Sequence, residues 1–326
     1  MLRPMETNLI TQSLILLASV LVLAKSSHLV INNAVKLARF TRLDELVIGF
    51  IIISVTTSLP ELAVSVSAVS KGNVGISIGN LFGSNITDIC LIVGIVALMK
   101  PMKISKWAFS DLSAILFITS VIPLFLLIVK EASQIVGIVL LLFFAYFCWY
   151  SLKKRITTRT RRTEKLGKRR QVKGPIMSTM VRLFAGIGGV VLSSNFAVDS
   201  ALNVASIMGM VPAIIGATIV AIGTSLPELS VNLAALRTKH FGLALGDAIG
   251  ACLTNTTLNL GIVLLVAPIT VNMAVFSTLI SFLLLANIFM WYFLERGKLT
   301  HFAGLSLLIL YQLFLVTIFE VQIALL

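Results

Sequence analysis

The sequence has few charges: Asp, Glu, Lys and Arg make up 12% of its 326 residues, and 13 acidic residues stand against 26 basic ones. Its three cysteines and three histidines are scattered along the chain, which argues against a disulfide framework and against a histidine-based metal centre. It contains no G-x-x-x-x-G-K-[ST] phosphate loop, so pumping driven by ATP is not expected of this chain alone. We therefore predict that the protein is not an enzyme and that it holds no organic cofactor.

Apolar residues are abundant and form 58% of the chain. They occur in runs long enough to cross the roughly 30 Å hydrocarbon core of a membrane as helices, without the alternation of a membrane β-barrel. The sequence therefore predicts an all-α integral membrane protein with ten transmembrane helices in the lipid bilayer. The predicted helices span 8–38, 45–70, 75–99, 107–129, 133–152, 176–208, 211–236, 241–268, 271–294 and 300–325.

A basic segment at 153–173, "KKRITTRTRRTEKLGKRRQVK", contains eleven Lys or Arg residues and one acid, Glu164. No aromatic residue is interleaved with these charges, so we interpret it as a solvated linker and predict no nucleic-acid partner. Basic loops accumulate on the cytoplasmic side of membrane proteins. The segment therefore predicts a multi-pass protein of the cell membrane with this loop in the cytoplasm and both termini outside. The predicted units are a five-helix repeat at 1–152, the basic loop at 153–175 and a second five-helix repeat at 176–326.

The chain contains an internal duplication with an offset of 167 positions. Residues 29–101 align without a gap to residues 196–268, and 23 of the 73 pairs are identical. Each copy holds five predicted helices, an odd number, so the second copy must lie upside down in the membrane relative to the first. Inverted-topology repeats are typical of secondary transporters, whose binding site lies near the midplane where the repeats meet.

The hexapeptide "TSLPEL" occurs in each copy, at 57–62 and 224–229, inside a long apolar segment. Proline lacks an N–H group and interrupts the helix, which frees backbone carbonyl groups near the middle of the membrane. An acidic residue at the bilayer centre costs about 2.5–3.5 kcal/mol, so its repetition at Glu61 and Glu228 favours a functional role. Calcium binds carboxylate and carbonyl oxygens together, so this combination predicts a site for a hard cation.

A second pair of segments, "GNLFGSNITD" and "GDAIGACLTN", ends at Asp88 and Asn255, 27 residues after each glutamate. The closely spaced glycines in these segments predict faces for tight helix packing. Asp88 and Asn255 are polar and equivalent by the duplication. We expect them to complete a ring with Glu61 and Glu228.

The paired "TSLPE" and "GS/GA…D/N" segments resemble the α-repeats of the cation/calcium exchanger superfamily, particularly its prokaryotic sodium/calcium exchanger branch. The resemblance implies ten helices in two inverted halves and a secondary active antiporter that exchanges calcium for sodium by alternating access. It also implies that helices 1 and 6 slide against the remaining bundle. It predicts no particular oligomeric state.

The resemblance also implies a set of ion ligands. Those of calcium would be Glu61, Glu228 and the carbonyl groups of Thr57 and Thr224. One sodium position would use Glu61, Ser84, Thr224, Ser225 and the carbonyl group of Ala221. The other would use Glu228, Thr57, Ser58 and the carbonyl group of Ser54. Asp88 and Asn255 would bound the central position.

The chain departs from the family pattern around the second glutamate. Ala251 stands where the family usually has the serine that matches Ser84, so the sodium position beside Glu228 has lost a hydroxyl group. Asp247 replaces the asparagine that matches Asn80 and adds a carboxylate whose role the sequence does not assign.

Two further departures lie elsewhere in the motif. Thr56 replaces the glycine that usually precedes "TSLPE", which the second copy keeps at Gly223. The central aspartate, Asp88, lies in the first copy and its asparagine partner, Asn255, in the second, the reverse of the usual arrangement. Because two ionised glutamates already neutralise one calcium ion, we predict that Asp88 is protonated when calcium is bound.

Two alternatives stay open at this point. A calcium/proton antiporter of the same superfamily is consistent with the loss of the hydroxyl at Ala251, although the "GNxxE" sequence of that branch is absent. An intramembrane aspartyl hydrolase is a distant alternative, because "ALGD" at 244–247 is similar to the "GxGD" of such proteases. Ala244 breaks that motif, and the duplication would have no explanation.

Overall fold

A computed structural model gives the structure of most of the chain. It describes residues 9–38, 53–104, 106–129, 131–159, 176–237, 241–270 and 273–325. Within these ranges the chain is helical apart from four strands of two residues each.

The first half of the chain contains the following elements. They are α1 (Leu9–Ala38), α2 (Ser54–Thr57), α3 (Leu59–Ser70), α4 (Val74–Ile86), a π-helical segment at Thr87–Ile92, α5 (Val93–Met99), β1 (Met102–Lys103), α6 (Lys106–Val129), β2 (Glu131–Ala132) and α7 (Gln134–Arg159).

The second half repeats this order. Its elements are α8 (Ile176–Met208), α9 (Pro212–Ile215), a π-helical segment at Gly216–Val220, α10 (Ala221–Thr224), α11 (Leu226–Arg237), α12 (Phe241–Leu253), a π-helical segment at Thr254–Asn259, α13 (Leu260–Val266), β3 (Ile269–Thr270), α14 (Met273–Glu295), β4 (Lys298–Leu299) and α15 (His301–Leu325).

Seven of the described helical stretches are long and apolar enough to cross a membrane. They are Leu9–Val30, Val74–Met99, Met177–Met208, Pro212–Arg237, Ala244–Val266, Ala274–Glu295 and His301–Leu325. Three shorter apolar helices, Leu59–Ser70, Leu112–Ile128 and Gln134–Tyr150, accompany them. Large apolar side chains on the outer helices remain exposed, as Phe117 (70%) and Ile323 (72%) illustrate. Such a surface is suited to lipid, and the protein is an all-helical membrane protein.

The predicted helix boundaries agree with the ends of the observed helices to within a few residues, except at the end of the fifth predicted helix. α7 continues to Arg159, beyond the predicted end at 152. Lys and Arg have good helix propensity and are favoured near a helix C-terminus, so the basic run begins as helix and not as linker. The rest of the basic run and the start of the predicted helix 45–70 lie outside the described residues.

Both "TSLPEL" segments interrupt their helix, as predicted from the proline, and the interruption lies at the serine two residues before it. Ser58, between α2 and α3, has φ −78° and ψ 7°, and Ser225, between α10 and α11, has φ −82° and ψ 5°. Pro60 then falls in the first turn of α3, where a missing N–H group leaves no helical acceptor unpaired. The breaks place Glu61 and Glu228 in the first turns of α3 and α11.

Asp88 and Asn255 lie in π-helical segments, which sequence periodicity did not predict. The segments Thr87–Ile92 and Thr254–Asn259 are equivalent by the duplication. A π turn widens the helix by one residue per turn and frequently occurs at functional sites.

The glycines of α4 allow close packing against the helix that begins at Pro212. A Cβ atom added to Gly83 would lie 2.5 Å from the Cα of Ala217, and one added to Gly79 would collide with the carbonyl oxygen of Ala213. The predicted tight packing faces are therefore confirmed for the first copy.

The short strands pair across the duplication. β1 pairs with β4, with Met102 opposite Leu299, and β2 pairs with β3, with Glu131 opposite Thr270. β3 and β4 lie at opposite ends of α14, a helix about 35 Å long. The two strand pairs therefore lie at opposite ends of the bundle.

The buried apolar residues form two clusters. The larger cluster joins α4–α7 to α12–α15. The smaller one joins α1 and α8 to one side of the bundle, where Val64 and Ala68 of α3 and Ile76 of α4 belong to it. Predicted helices 1 and 6 thus pack along each other and against the bundle through this second cluster.

Candidate functional site

The two helix breaks and the two π-helical segments bring the predicted polar residues into the interior of the protein. Each predicted side-chain ligand is almost completely buried, with an exposed fraction of at most 1%. These residues are Thr57, Ser58, Glu61, Ser84, Asp88, Thr224, Ser225, Glu228 and Asn255. The structure therefore gathers polar side chains from distant parts of the chain in an interior otherwise made of apolar residues.

Hydroxyl groups from both copies surround Glu61. Its Oε1 accepts hydrogen bonds from Ser84 Oγ at 3.4 Å and from Ser225 Oγ at 3.3 Å. Ser84 Oγ also lies 3.3 Å from Thr224 Oγ1, so the three hydroxyl groups form one connected set. The second oxygen, Oε2, has no hydrogen-bond partner.

Glu228 occupies the equivalent position in the second copy but has a different environment. Neither of its carboxylate oxygens has a hydrogen-bond partner, and the nearby hydroxyl group of Ser58 has none either. Ala251, which is completely buried, stands in place of the serine that serves Glu61 in the first copy. The departure noted in the sequence therefore leaves Glu228 without a hydroxyl donor.

The predicted carbonyl ligands Ser54 and Ala221 are not bare. The carbonyl oxygen of Ser54 accepts from the backbone N–H of Ser58 at 3.0 Å and from Thr57 Oγ1 at 3.2 Å. That of Ala221 accepts from the backbone N–H of Ser225 at 3.0 Å and from Thr224 Oγ1 at 3.2 Å. A cation at either carbonyl would take the lone pair to which the threonine hydroxyl group donates, and that hydroxyl group has a second acceptor within reach, Asp247 Oδ1 or Asn80 Oδ1.

Asp88 and Asn255 differ in the hydrogen bonds that their side chains make. Asp88 Oδ1 has no hydrogen-bond partner. Asn255 Nδ2 donates to Asn85 Oδ1 at 3.1 Å, and Asn255 Oδ1 accepts from Asn259 Nδ2 at 2.8 Å. The predicted ring is therefore asymmetric, with a free carboxylate oxygen on one side and a bonded amide on the other.

Sequence reasoning missed several amides that organise the site. Asn259 Nδ2 also donates to the carbonyl oxygen of Ser58, at the helix break, at 3.1 Å. Asn85 Nδ2 donates to Thr256 Oγ1 at 2.9 Å and so ties the end of α4 to the π-helical segment Thr254–Asn259. The available signal was the presence of amides inside apolar membrane segments, where polar side chains are costly unless they are bonded or functional.

The chemical character of the site follows from its unpaired acceptors. Among the described residues, the buried carboxylate oxygens without a partner are Glu61 Oε2, both oxygens of Glu228 and Asp88 Oδ1. An ionised carboxylate can only accept, so such oxygens need donors or a cation. Across the described ranges the one ion pair is between Lys71 and Asp199, away from these groups. No basic side chain in the described part of the chain neutralises the cluster.

The carboxylates alone do not make a preformed metal centre. Within the described ranges, no group of three or more His, Cys, Asp or Glu residues is arranged to hold a metal ion. A cation here would complete its shell with hydroxyl and carbonyl oxygens from the two broken helices. That mixture of oxygen types suits a hard cation such as calcium or sodium.

Comparison with known proteins identifies the family. The family model described as "Sodium/calcium exchanger protein" matches residues 11–153 and again residues 178–320. The chain belongs to the sodium/calcium exchanger family. This membership confirms the resemblance found in the motifs and makes the protein a transmembrane antiporter and not an enzyme, which excludes the hydrolase alternative.

Curated relatives of this exchanger cover almost the same length. The sodium/calcium exchanger MaX1 of Methanosarcina acetivorans is 29% identical over 94% of this chain and 98% of its own. The inner membrane protein YrbG of Escherichia coli is 28% identical over 86% of this chain and 87% of its own.

The fold of this exchanger also matches a solved structure. The sodium-calcium exchanger NCX_Mj, soaked with Na⁺ and Ca²⁺, superimposes with a TM-score of 0.68 at 26% identity. The match covers 93% of this chain and 97% of the other. A form of the same protein soaked with Na⁺ and Sr²⁺ gives a TM-score of 0.66.

Proposed function

We propose that this exchanger moves calcium across the cell membrane in exchange for sodium, by alternating access at the buried carboxylate site. The observation that carries the proposal is the set of buried, unpaired oxygens on Glu61, Glu228 and Asp88 between two broken helices. A transported cation supplies the charge that the protein itself does not provide there. The names of MaX1 and NCX_Mj, both sodium/calcium exchangers, support this choice of ions.

The ion positions proposed are those implied by the family resemblance. Calcium lies between Glu61 and Glu228, with the carbonyl groups of Thr57 and Thr224. A sodium ion beside Glu61 uses the three hydroxyl groups that the structure connects, together with the Ala221 carbonyl group. The sodium position beside Glu228 would use Ser54, Thr57 and Ser58 and has fewer hydroxyl donors.

The proposed topology has ten spans in two inverted halves, with divisions at 1–152, 153–175 and 176–326. The strand pairs support the inversion, because β1 and β3 follow equivalent helices of the two copies yet belong to pairs at opposite ends of the bundle. Seven long and three shorter apolar helices are consistent with ten spans. The basic loop then faces the cytoplasm and both termini face outward.

The proposed movement is a sliding of α1 and α8 against the bundle. These two helices pack along each other over much of their length, which suits a movement as one unit, and their hydrophobic cluster contacts the bundle through Val64, Ala68, Ile76, Ile215 and Val220, across which they would slide. At one end, Lys71 Nζ lies 2.6 Å from Asp199 Oδ1, and this ion pair ties α8 to the end of α3. The ion-free site carries uncompensated charge, which makes its reorientation costly and couples the two ion fluxes.

The first prediction concerns the counter-ion. Calcium-45 uptake into proteoliposomes, with the internal pH clamped, is expected to follow an outward sodium gradient and not an outward proton gradient. The calcium/proton antiporter remains the second candidate, because Ala251 removes a hydroxyl donor from Glu228. Uptake driven by protons alone would move the protein to that class, and uptake under neither gradient would refute calcium as the substrate.

The second prediction concerns Asp88. If Asp88 is protonated when calcium is bound, Asp88→Asn keeps a neutral side chain of the same shape. Calcium transport by this variant is therefore expected to stay within about threefold of the wild type, which corresponds to about 0.6 kcal/mol. Its pH dependence is also expected to change little. Loss of calcium binding in this variant, measured on purified protein that remains folded, would show that Asp88 must be ionised.

A further inference from the structure

Asp247 is a buried carboxylate to which the proposed ion positions assign no role. It lies in α12, is completely buried and stands where the first copy has Asn80. The single ion pair among the described residues is Lys71–Asp199, so no described basic side chain neutralises Asp247. Burying an unpaired charge costs several kcal/mol, so this aspartate requires a physical explanation.

The first copy shows the arrangement without the extra charge. Asn80 Nδ2 donates to the carbonyl oxygen of Glu61 at 3.1 Å and to Ser65 Oγ at 3.0 Å. Asn80 Oδ1 accepts from Thr224 Oγ1 at 3.1 Å. One neutral amide therefore anchors the glutamate backbone on one side and a threonine hydroxyl group on the other.

The second copy keeps these connections with the amide moved to the other helix. Asn232 stands where the first copy has Ser65, and its Nδ2 donates to the carbonyl oxygen of Glu228 at 2.9 Å and to Asp247 Oδ2 at 2.7 Å. The aspartate cannot donate when it is ionised, and Asn232 makes the bond that an amide at position 247 would otherwise make. The two differences between the copies, Ser65 to Asn232 and Asn80 to Asp247, compensate each other, so both oxygens of the buried carboxylate have a hydrogen-bond donor.

The other oxygen of Asp247 points to a predicted ion ligand. Thr57 Oγ1 lies 3.2 Å from Asp247 Oδ1 and 3.2 Å from the carbonyl oxygen of Ser54. A carboxylate, a hydroxyl and a carbonyl oxygen thus meet around one point. At the equivalent point of the first copy, Thr224 Oγ1 also lies 3.2 Å from a carbonyl oxygen, that of Ala221, but its side-chain partner on the neighbouring helix is the neutral amide of Asn80 and not a carboxylate.

Glu228 is linked to this cluster through Asn232, whose Nδ2 donates to the Glu228 carbonyl oxygen and to Asp247 Oδ2. Both carboxylate oxygens of Glu228 are buried without a donor. Ala251, one helical turn after Asp247 and on the same face of α12, has lost the hydroxyl group that serves Glu61 in the first copy. Compared with the first copy, the side of the site beside Glu228 therefore has one hydroxyl donor fewer and one carboxylate more.

We propose that Asp247 is the second carboxylate of the cation position beside Glu228, and that this position prefers a divalent cation to sodium. The remaining ligands are the hydroxyl group of Thr57 and the carbonyl group of Ser54. Two carboxylates balance one divalent ion, whereas a sodium ion would leave one negative charge uncompensated in a medium of low dielectric constant. The inference rests on the proposed function, because it assigns the ion class to one side of the same site.

The two sides of the site are then unequal in a defined way. The side of Glu61 has three connected hydroxyl groups, which suit a monovalent ion, and the further carboxylate of the centre, Asp88, is the one that we predict to be protonated. The side of Glu228 has two carboxylates and no hydroxyl donor to the glutamate. We therefore expect that a higher sodium concentration is needed to displace calcium from this site than from a site whose second copy has the same polar residues as the first.

The test is calcium-45 binding to the purified full-length protein, with displacement by sodium. The double variant N232S/D247N gives the second copy the serine and asparagine of the first copy, so each hydrogen bond lost has a replacement. We expect calcium affinity to fall by about tenfold or more and sodium to displace calcium at a correspondingly lower concentration, because one full charge near the ion is removed. The variant's melting temperature in detergent serves as the check on folding.

The matched control is Glu320→Gln, which also removes one acidic charge but lies on the exposed face of α15. Its calcium affinity is expected to stay within about twofold of the wild type, because every proposed ligand of the ion is kept. An N232S/D247N protein with wild-type calcium affinity and wild-type displacement by sodium would overturn the inference. If the wild type itself binds no calcium that sodium displaces, the proposed function fails as well, so the two failures are distinguishable.

Discussion

Glu228→Gln is expected to abolish exchange, with sodium-dependent calcium uptake reduced by at least about 100-fold. Glu228 is 1% exposed, and neither of its oxygens has a donor within the described protein. The cation is therefore its natural partner. Removing one member of a buried ion pair costs about 3–5 kcal/mol, because the other charge is left uncompensated, and each 1.4 kcal/mol is a factor of ten in affinity.

Glu61→Gln is expected to have the same consequence, although its immediate surroundings differ. The hydroxyl groups of Ser84 and Ser225 can still donate to the remaining amide oxygen, so the fold of the site should survive while the charge is lost. Calcium-45 uptake in proteoliposomes measures the effect. Glu320→Gln, on the exposed face of α15, is the matched control and should transport normally. Normal uptake by both site variants would remove the carboxylates from the mechanism.

Gly83→Ala is expected to destabilise the protein by about 1–3 kcal/mol and to lower transport as well. The added Cβ would lie 2.5 Å from both the Cα atom and the carbonyl oxygen of Ala217. These are backbone atoms of a packed helix and cannot rotate away, so α4 has to separate from its neighbour. The residue after Gly83 is Ser84, whose hydroxyl group donates to Glu61, so the displacement reaches the site directly.

Thermal unfolding of the purified protein in detergent measures the destabilisation. Gly188→Ala in α8 is the matched control, because a Cβ atom at Gly188 would meet nothing within 4 Å. Alanine has a higher helix propensity than glycine, so this control should be neutral or slightly stabilising. An equal effect of the two variants would show that glycine flexibility, and not close packing, matters at Gly83.

The site could be located from the sequence because its motif is duplicated. Glu61 and Glu228 recur at one fixed offset inside apolar segments, and a buried carboxylate is too costly to recur there without a function. Their burial and the helix breaks before them are present in the structure. The carbonyl groups of Ser54 and Ala221, which the family resemblance implies as ion ligands, accept hydrogen bonds from the backbone N–H groups of Ser58 and Ser225, because a broken helix still satisfies carbonyl groups through neighbouring N–H groups.

The role of Asp247 shows what the motif alone could not supply. In the sequence it is a departure from the pattern, fifteen positions after Asn232 and far from Thr57. Only the packing of α12 against α11 and α2 makes these three residues neighbours. The asymmetry between Asp88 and Asn255 has the same origin in part, because Asn255 bonds Asn85 of the opposite copy as well as Asn259, one helical turn further along its own helix.

The sequence by itself determined the membrane class, nearly all the helix boundaries within the described residues, the duplication and the positions of the two buried glutamates. These features follow from properties that act along the chain: the length of apolar runs, the helix-breaking effect of proline and the cost of a charge in lipid. The tertiary structure decided which hydroxyl groups serve Glu61, which residues bond Asp247 and where the π-helical segments begin. Those features depend on which helix faces meet, because a hydrogen bond between side chains forms only when the backbone brings both groups within about 3 Å.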